Sequence, residues 1–304
     1  MPSKLDCLGL GITPLDILLT VPRFPKAGSK INALDMTIQG GGPVPNVLVG
    51  LTKLGYQTSL ISAFGDDSHG RDGLSQLRAE GVDVSRTVIR TGKKSDLASG
   101  FIETGSGQRT LVFATEIQVN PADIKLSDHR IPRLIHLDGR DVPACAKLAR
   151  WGRRQGLPVG LDVGSMRNDV TPLLPLVDHL VVADAFAYGF TGKRTAPAAA
   201  RRLAEYCKGT IVVTVGLRGA VALEEGKLYQ QPAFRIKTID TTGAGDAFHT
   251  GYYHGLLNGD ATERRLLLGA AVAALKCTRP GARAGLPTLR QLNSFLRSKP
   301  KTYA

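Results

Sequence analysis

Strand-length apolar runs and helical apolar patterns alternate along most of this chain of 304 residues. The runs are separated by segments in which apolar residues recur at helical spacing, as in 142–155. The predicted core strands are 4–11, 56–64, 133–140, 157–163, 177–183 and 210–215. Strands that alternate with helices predict a mostly parallel sheet covered by helices on both faces, and therefore an α/β fold.

Other segments alternate polar and apolar residues in short pieces. Segment 17–39 is broken by two prolines and a glycine, and segment 96–113 predicts a hairpin with a turn at 105–108. Segment 234–239 also alternates, and it predicts a half-buried strand. We expect 1–304 to form one domain, because neither a linker nor a low-complexity tract interrupts it.

A glycine-rich stretch lies between the predicted strand 234–239 and a helical pattern. Gly243 and Gly245, separated by Ala244, therefore stand where a helix begins. Backbone N–H groups at such a position point into one cavity and the helix dipole adds positive charge, so both favour an anion. Asp246 would repel a resting phosphate but suits proton removal from an attacking hydroxyl. A helix cap with an aspartate in its first turn is the alternative that the spacing leaves open.

The formal net charge of +13 predicts a surface that attracts anions. The basic residues are spread along the chain without an arginine block, so we expect no nucleic-acid partner. We also expect no membrane partner, because the apolar runs are too short to span a bilayer. The N-terminus, 1–6, lacks the apolar core of a secretory signal. Four scattered cysteines without a Cys-x-x-Cys pair indicate thiols in a reducing cytoplasm rather than a metal site.

The run Asp-Thr-Thr-Gly-Ala-Gly-Asp at 240–246 resembles the C-terminal signature of the ribokinase/PfkB-type carbohydrate kinases, without a departure. The resemblance implies that the amides of Gly243, Ala244 and Gly245 form an anion hole for the transferred phosphoryl group. It also implies that Asp246 is the base for a sugar hydroxyl. A ribokinase-like fold is expected on the same ground.

Further motifs fall in the family's order and extend the resemblance over essentially the whole chain. The run Gly-Gly-Gly-Pro-Val-Pro-Asn at 40–46 resembles the family's sugar motif, in which glycines let a ligand approach the backbone. Segments 17–39 and 96–113 resemble the two parts of a small β-sheet lid that folds over the sugar. The residues that the resemblance assigns to the sugar in this region are Asp16, Gly41, Gly42 and Asn46.

The resemblance also implies ATP with Mg²⁺ as the phosphoryl donor. The residues carried over to the nucleotide are Thr214, Gly216 and Gly219. Arg218 is included with them, and the sequence leaves open whether it contacts the phosphates or faces water. In relatives, backbone carbonyls of two loops bind a monovalent cation such as K⁺. The residues that would lie around that cation are Asp240, Thr242, Lys276, Arg279, Gly281 and Gly285. We expect a cytoplasmic enzyme that forms a homodimer through the lid.

One departure concerns the family's Asn-x-x-Glu motif, which helps to organise Mg²⁺. The corresponding run at 183–186 is Ala-Asp-Ala-Phe, in which Asp184 can replace the missing groups only in part.

An anionic sugar is an alternative phosphoryl acceptor. The runs at 40–42, 231–234 and 274–281 look most like the sulfofructose-kinase branch of the family. Members of that branch accept a sugar with an anionic tail, and Lys30 and Arg140 occupy the matching positions. Ketohexokinase-like relatives share the run around Arg140 but take a neutral sugar. Phe113, moreover, stands where the branch can offer a polar residue.

Two other functions stay open. A nucleoside kinase would have the same fold, although an aromatic content of 6%, with no aromatic cluster in the predicted sugar loops, argues against a base pocket. A catalytically silent regulator that binds sugar or nucleotide belongs to a different class. The intact Asp246 and its glycines argue against that regulator.

Overall fold

The computed structural model describes residues 5–105, 109–126 and 130–298, so residues 1–4 and most of the predicted turn at 105–108 lie outside the described part. The strands are β1 (Leu5–Leu10), β2 (Leu15–Val21), β3 (Asp35–Gly40), β4 (Thr58–Ile61), β5 (Ala63–Gly65), β6 (Val88–Arg90), β7 (Leu97–Glu103), β8 (Arg109–Ala114), β9 (Pro132–Leu137), β10 (Val159–Val163), β11 (His179–Ala183), β12 (Thr210–Thr214), β13 (Ala220–Glu224) and β14 (Lys227–Gln231). The α-helices are α1 (Pro43–Lys53), α2 (Ser68–Ala79), α3 (Val142–Arg154), α4 (Asp184–Thr191), α5 (Ala196–Leu203), α6 (Ala244–Leu257), α7 (Thr262–Cys277) and α8 (Leu289–Arg297). Short 3₁₀ helices occupy Pro121–Asp123, Thr171–Leu176 and Gly216–Arg218.

Eight strands form the central sheet in the order β14-β13-β12-β11-β10-β9-β1-β4. In this sheet β12, β11, β10, β9, β1 and β4 run parallel to one another. At the other edge, β13 is antiparallel to β12, and β14 is antiparallel to β13. Neighbouring residues of one strand enter two separate cores. Leu8 packs with Leu148 of α3, whereas Cys7 belongs to the core that contains Leu48 of α1 and Tyr252 of α6. The predicted parallel sheet with helices on both faces is confirmed.

The candidate site residues follow the carboxyl ends of the parallel strands. The chain passes from β1 to Asp16, from β9 to Arg140 and from β12 to Gly216. Parallel strands bring these ends to one edge of the sheet, where ligands of open α/β folds bind.

A separate four-stranded sheet has the order β3-β2-β7-β8 and combines the two predicted lid segments, 17–39 and 96–113. β2 and β7 are parallel, and β3 and β8 flank them antiparallel. The register aligns Asp16, Ala98 and Phe113 in one row, so their side chains share one face of this small sheet. The prediction of a small additional β-sheet is confirmed, while its movement as a lid stays a prediction.

Two strand predictions were wrong in detail. Segment 234–239 has no strand assignment, because β14 ends at Gln231 and the following Pro232 cannot donate a backbone hydrogen bond. Burial accounts for the start of the alternation, since Phe234 packs on Phe295 of α8 at 5.1 Å between ring centroids, whereas Ile239 is 61% exposed. Segment 56–64 is divided into β4 and β5, which pair in different sheets.

All four cysteines are free and buried. Among the helices of the described residues, none combines the length and the apolar character that crossing a bilayer requires.

Candidate active site

The glycine-rich stretch has the predicted geometry at the start of α6. Gly243 has a φ of +74°, which favours glycine, and a Cβ there would lie 2.9 Å from the Ala282 Cβ. The Ala244 N–H donates to the Thr241 carbonyl at 3.0 Å and closes a tight turn. Gly245 lies in the first helical turn, where N–H groups lack intrahelical acceptors, and a Cβ on it would meet open space. The loop therefore directs the positive end of a helix towards a space that an anion can enter.

Asp246 lies in the first turn of α6 and is half-buried. Burial raises the pKa of Asp246 to about 6, and the nearby Asp162 carboxylate adds to this rise. The Asn46 Nδ2 donates to Asp246 Oδ2 at 2.6 Å, and this hydrogen bond lowers the pKa of Asp246 and so limits the rise. A carboxyl group with this pKa is mostly ionised at neutral pH and still basic enough to accept a proton in a reaction.

Arg283 fixes the orientation of Asn46, and the sequence analysis did not identify it. Its Nε donates to Asn46 Oδ1 at 2.8 Å, and its Nη2 donates to the Gly41 carbonyl at 3.1 Å. A guanidinium group can only donate, so the Asn46 oxygen faces Arg283 and the Asn46 NH₂ group faces Asp246. Arg283 is only 6% exposed. Its neighbours Gly281 and Gly285 were predicted near a cation, but the local pattern of this loop gives no sign that the Arg283 side chain reaches the sugar loop.

Asp16 and Gly41 meet at the same place. A Cβ on Gly41 would lie 2.2 Å from Asp16 Oδ1, so a side chain larger than hydrogen would displace the carboxylate. Burial raises the pKa of Asp16 to about 6, while Arg283 and Arg109 oppose the rise. Gly42 is the cap residue before α1, directly ahead of the turn that holds Asn46. The four residues predicted to bind the sugar therefore lie together, next to the predicted base.

Two buried polar side chains, His249 and Asp162, lie against the start of α6 on its interior side. The His249 Nδ1 lies 3.0 Å from the Gly245 carbonyl and 3.7 Å from Asp162 Oδ2. Burial raises the pKa of Asp162 to about 7. Asp162 is on β10, so its charge reaches Asp246 through the interior rather than from the open side.

Arginines gather on the open side of the same site. The guanidinium carbon of Arg167 lies 3.8 Å from the centroid of the Phe113 ring. Partial burial lowers the pKa of Arg167, and the charges of Arg140 and Arg109 lower it further, so these three groups lie near one another. Arg109 also acts on Asp16 and Asp246. Lys30, by contrast, is exposed in the loop between β2 and β3.

A cavity of about 360 Å³ adjoins the start of α6. Three of the predicted nucleotide residues, Thr214, Gly216 and Gly219, line it together with Ala244 and Gly245. Its apolar wall, which was not predicted from the sequence, includes Ala233, Phe234, Ile236, Ala270, Ala273 and Ala274. The fourth predicted residue, Arg218, forms an ion pair with Asp184 at 3.7 Å, and its side chain is 69% exposed.

The residues predicted around a monovalent cation also converge. Asp240 Oδ1 accepts the Thr242 N–H at 2.8 Å, and Asp240 Oδ2 accepts the Gly281 N–H at 2.7 Å. The Arg279 N–H donates to the Lys276 carbonyl at 3.2 Å. A Cβ on Gly285 would lie 2.4 Å from that carbonyl oxygen. The Lys276 side chain itself extends into this group.

Comparison with known proteins shows a family relationship for nearly the whole chain. The sequence model of the pfkB family of carbohydrate kinases matches residues 4–289. This chain belongs to the pfkB family. It is a phosphotransferase with an alcohol group as acceptor, as the sequence predicted.

Several relatives of this pfkB-family kinase match over nearly their whole length. The chain is 28% identical to ribokinase from Haemophilus influenzae over 94% of this chain and 97% of the relative. It is 27% identical to an ATP-dependent ribose-1-phosphate kinase from Halopiger xanaduensis over 95% of this chain and 97% of the relative. The crystal structure of a putative ribokinase from Agrobacterium tumefaciens superimposes with a TM-score of 0.86 and 26% identity, covering 97% and 98% of the two chains. The predicted ribokinase-like fold is confirmed, and the narrower sulfofructose-kinase branch stays a prediction.

The departure from the family's Asn-x-x-Glu motif lies where β11 meets α4. Phe186, at the position of the glutamate, is fully buried in the core. Asp184 begins α4 and pairs with Arg218. In the part of the chain that the structure describes, no three His, Cys, Asp or Glu side chains are grouped so that they could hold a metal ion.

Proposed function

We propose that this pfkB-family kinase transfers the γ-phosphate of ATP to a hydroxyl group of a sugar, with Asp246 as the general base. One contact carries the proposal: the hydrogen bond of 2.6 Å between Asn46 and Asp246. It joins the predicted sugar loop to the residue that follows the predicted anion hole. A hydroxyl group bound there can give its proton to Asp246 while its oxygen attacks the phosphorus atom.

Each part of the site has a defined task in this reaction. Asp16 and Asn46 offer polar atoms that can hold sugar hydroxyls, and Gly41 lets the ligand approach the backbone. Asp246 accepts the proton as the new O–P bond forms and the bond to the leaving ADP oxygen breaks. The amides of Gly243–Gly245 and the start of α6 stabilise the charge of the transferred group, an effect that reaches several kcal/mol in comparable sites.

The cavity beside α6 supports ATP as the donor. Its volume of about 360 Å³ lies within the range of about 300–1,000 Å³ that small-molecule sites occupy. The wall of alanines with Phe234 and Ile236 suits the faces of an adenine ring. Because Ala244 and Gly245 also line the cavity, a nucleotide bound there can direct its phosphates towards the predicted anion hole.

The site fits Mg²⁺ that arrives with ATP rather than a preformed metal cage. Mg²⁺ keeps several waters and commonly uses one or two carboxylates together with substrate phosphates. Asp184 is the carboxylate at the carboxyl end of β11 that would face such a complex. When bound, the ion neutralises charge on the phosphates.

Phosphorylation of a sugar panel with ATP and Mg²⁺ tests the proposal, with Asp246→Asn as the matched variant. The substitution keeps the shape of the side chain and removes the proton acceptor. We expect kcat to fall by about 10²–10⁴-fold, the usual contribution of a general base, while ATP binding is retained. A variant that works at nearly the wild-type rate would exclude Asp246 as the base. A protein that binds sugar or nucleotide but phosphorylates no member of the panel would support the catalytically silent regulator, and turnover of nucleosides alone would support a nucleoside kinase.

An anionic sugar is the second candidate for the acceptor. It is supported by the cluster of Arg109, Arg140 and Arg167, since guanidinium groups bind phosphate and sulfonate oxygens well. The relative named as a ribose-1-phosphate kinase acts on an acceptor of this class. We expect Arg140→Ala and Lys30→Ala to raise KM sharply for a sugar phosphate or sulfosugar and little for a neutral ketose. Efficient turnover of neutral sugars alone, unaffected by either substitution, would contradict this candidate.

The outer face of the small sheet supports a homodimer. Met36, Ile38 and Val112 are 58%, 53% and 71% exposed. The register places them on the face opposite to Asp16 and Phe113, because side chains alternate along a strand. An apolar face of this kind is a typical protein interface. Sedimentation velocity should give a dimer that Val112→Asp weakens, and a wild-type monomer at all concentrations would refute the interface.

A further inference from the structure

Lys276 is a charged side chain in a fully buried position. It lies in the last turn of α7 and is 0% exposed. Its Nζ donates to the Asp240 carbonyl at 2.8 Å and lies 3.8 Å from Asp240 Oδ2. A buried ammonium group is stable only when paired and hydrogen-bonded, and Asp240 offers both kinds of partner.

Asp240 connects the loop before α6 to the loop after α7. Its carboxylate accepts the N–H groups of Thr242 and Gly281, and its own N–H lies 3.3 Å from the Cys277 carbonyl. Burial would raise the pKa of Asp240, but these hydrogen bonds and the Lys276 charge hold it below its ordinary value. Three residues later the chain reaches Gly243 and the predicted anion hole.

A monovalent cation does not fit beside this lysine. Such an ion exchanges its hydration shell for several carbonyl and carboxylate oxygens. The Asp240 carbonyl oxygen already faces the Lys276 ammonium, and the Asp240 carboxylate is close to the same charge. A second positive charge in this small buried space would be repelled by the first, and the repulsion is strong where water is excluded.

We propose that Lys276 supplies the cation of this site, so that the loop 240–245 needs no bound K⁺. Lys276 is a positioning residue: it contacts neither the acceptor nor the reacting phosphate, and it holds Asp240 where the following turn begins α6. The kinase should therefore work equally well with and without K⁺.

The wild-type protein provides the first test, which does not depend on catalysis. Thermal melting is measured in KCl, NaCl and tetramethylammonium chloride at the same ionic strength. An ion that binds the folded state raises Tm in a saturable way, so an internal cation predicts the same Tm in all three salts. A saturable rise of Tm that is specific to K⁺ would overturn the proposal.

The second test is a set of variants assayed for melting and for sugar phosphorylation, which rests on the proposed function. Lys276→Ala removes the charge and opens space, so Tm and kcat should fall in tetramethylammonium chloride and recover in part when K⁺ is added. The expected loss of kcat is at least about tenfold, as for one hydrogen bond to a charged group. Lys276→Met fills the space without a charge and should lose activity without recovery by K⁺.

Lys53→Ala is the matched control, because Lys53 Nζ also donates to a carbonyl of the loop after α7, that of Arg283, at 2.9 Å. Lys53→Ala should create no response to K⁺. If Lys276→Ala melts and reacts like wild type in tetramethylammonium chloride, or K⁺ restores nothing, the proposal is wrong. A protein without kinase activity whose Lys276→Ala variant is stabilised by K⁺ would refute the proposed function and support the cation assignment.

Discussion

Replacement of Arg283 by methionine tests whether this arginine controls the pKa of the proposed base, Asp246, through Asn46. The variant loses the bond from Arg283 Nε to Asn46 Oδ1, which is then buried without its donor. Asn46 is free to turn its oxygen towards Asp246, and the hydrogen bond of 2.6 Å to the carboxylate is lost. A hydrogen bond to a charged group contributes about 1.5–3 kcal/mol, and one pKa unit corresponds to about 1.4 kcal/mol.

The pKa of Asp246 should therefore rise by about one to two units from its present value of about 6. Asp246 must be ionised to accept a proton, so the acid limb of kcat/KM against pH should move to higher pH by the same amount. At pH 7 the ionised fraction would fall from about nine-tenths to between about one-half and one-tenth. Loss of the Arg283 charge also removes one of the two arginine charges that lower the pKa of Asp16, so the pKa of Asp16 should rise as well.

The assay is a pH profile of sugar phosphorylation, with circular dichroism as the check of folding. Arg283→Lys keeps the charge without the forked geometry, so we expect a smaller displacement of the acid limb. Arg290→Met removes a positive charge from the exposed start of α8 and should leave the limb where it is. A raised KM for Arg283→Met with an unchanged acid limb would refute the reasoning, because Arg283 would then only shape the sugar pocket.

Two further predictions concern stability and motion. The pKa of Asp162 is raised from 3.8 to about 7 in the folded protein, so folded Asp162 binds more protons than unfolded Asp162 between these values. The contribution of Asp162 to stability is therefore present at low pH and is lost as pH rises through this window. Asp162→Asn should for this reason raise Tm at pH 8 more than at pH 5. An equal change of Tm at both pH values would contradict this. Amide hydrogens of β2, β3, β7 and β8 should exchange faster than those of β9–β12 in the free protein and slow when a sugar binds, and the lid role fails if exchange is the same in both states.

The fold was largely predictable because its signals are local. Each core strand is a short apolar run and each helix a periodic one, so the alternation could be read without any tertiary information. The start of α6 at the glycine-rich stretch was predictable for the same reason, since two glycines and Asp246 lie within four consecutive residues. Segment 234–239 shows the limit of this reading. Its residues alternate between apolar and polar, yet the segment forms no strand and Ile239 is exposed.

The contacts that adjust the site could not be read from local patterns. Asn46 and Asp246 are 200 positions apart, and Asn46 and Arg283 are 237 positions apart. Lys276 belonged to the predicted cation group as a source of a backbone carbonyl, yet it is its side chain that donates a hydrogen bond to Asp240. Arg109 appears in the sequence as one polar residue of an alternating strand, and only the folded small sheet brings its charge near Asp16.

Lys276 and Arg283 together explain how a site with several carboxylates can receive a polyanion. Asp240 is paired with Lys276, and Arg283 lowers the pKa of Asp16. Lys276 lies at the end of α7 and Arg283 in the loop after it. Both side chains bind groups of the protein, because Lys276 donates to Asp240 and Arg283 donates to Asn46 and Gly41. In the proposed reaction, the positive end of α6 is therefore available to the phosphate, and Asp246 keeps a negative charge beside it that can accept the proton. In the proposed reaction, the anion hole attracts the phosphate and the adjacent Asp246 repels it. The contact of Lys276 with Asp240 and the charge of Arg283 near Asp16 reduce the repulsion that these two further carboxylates add.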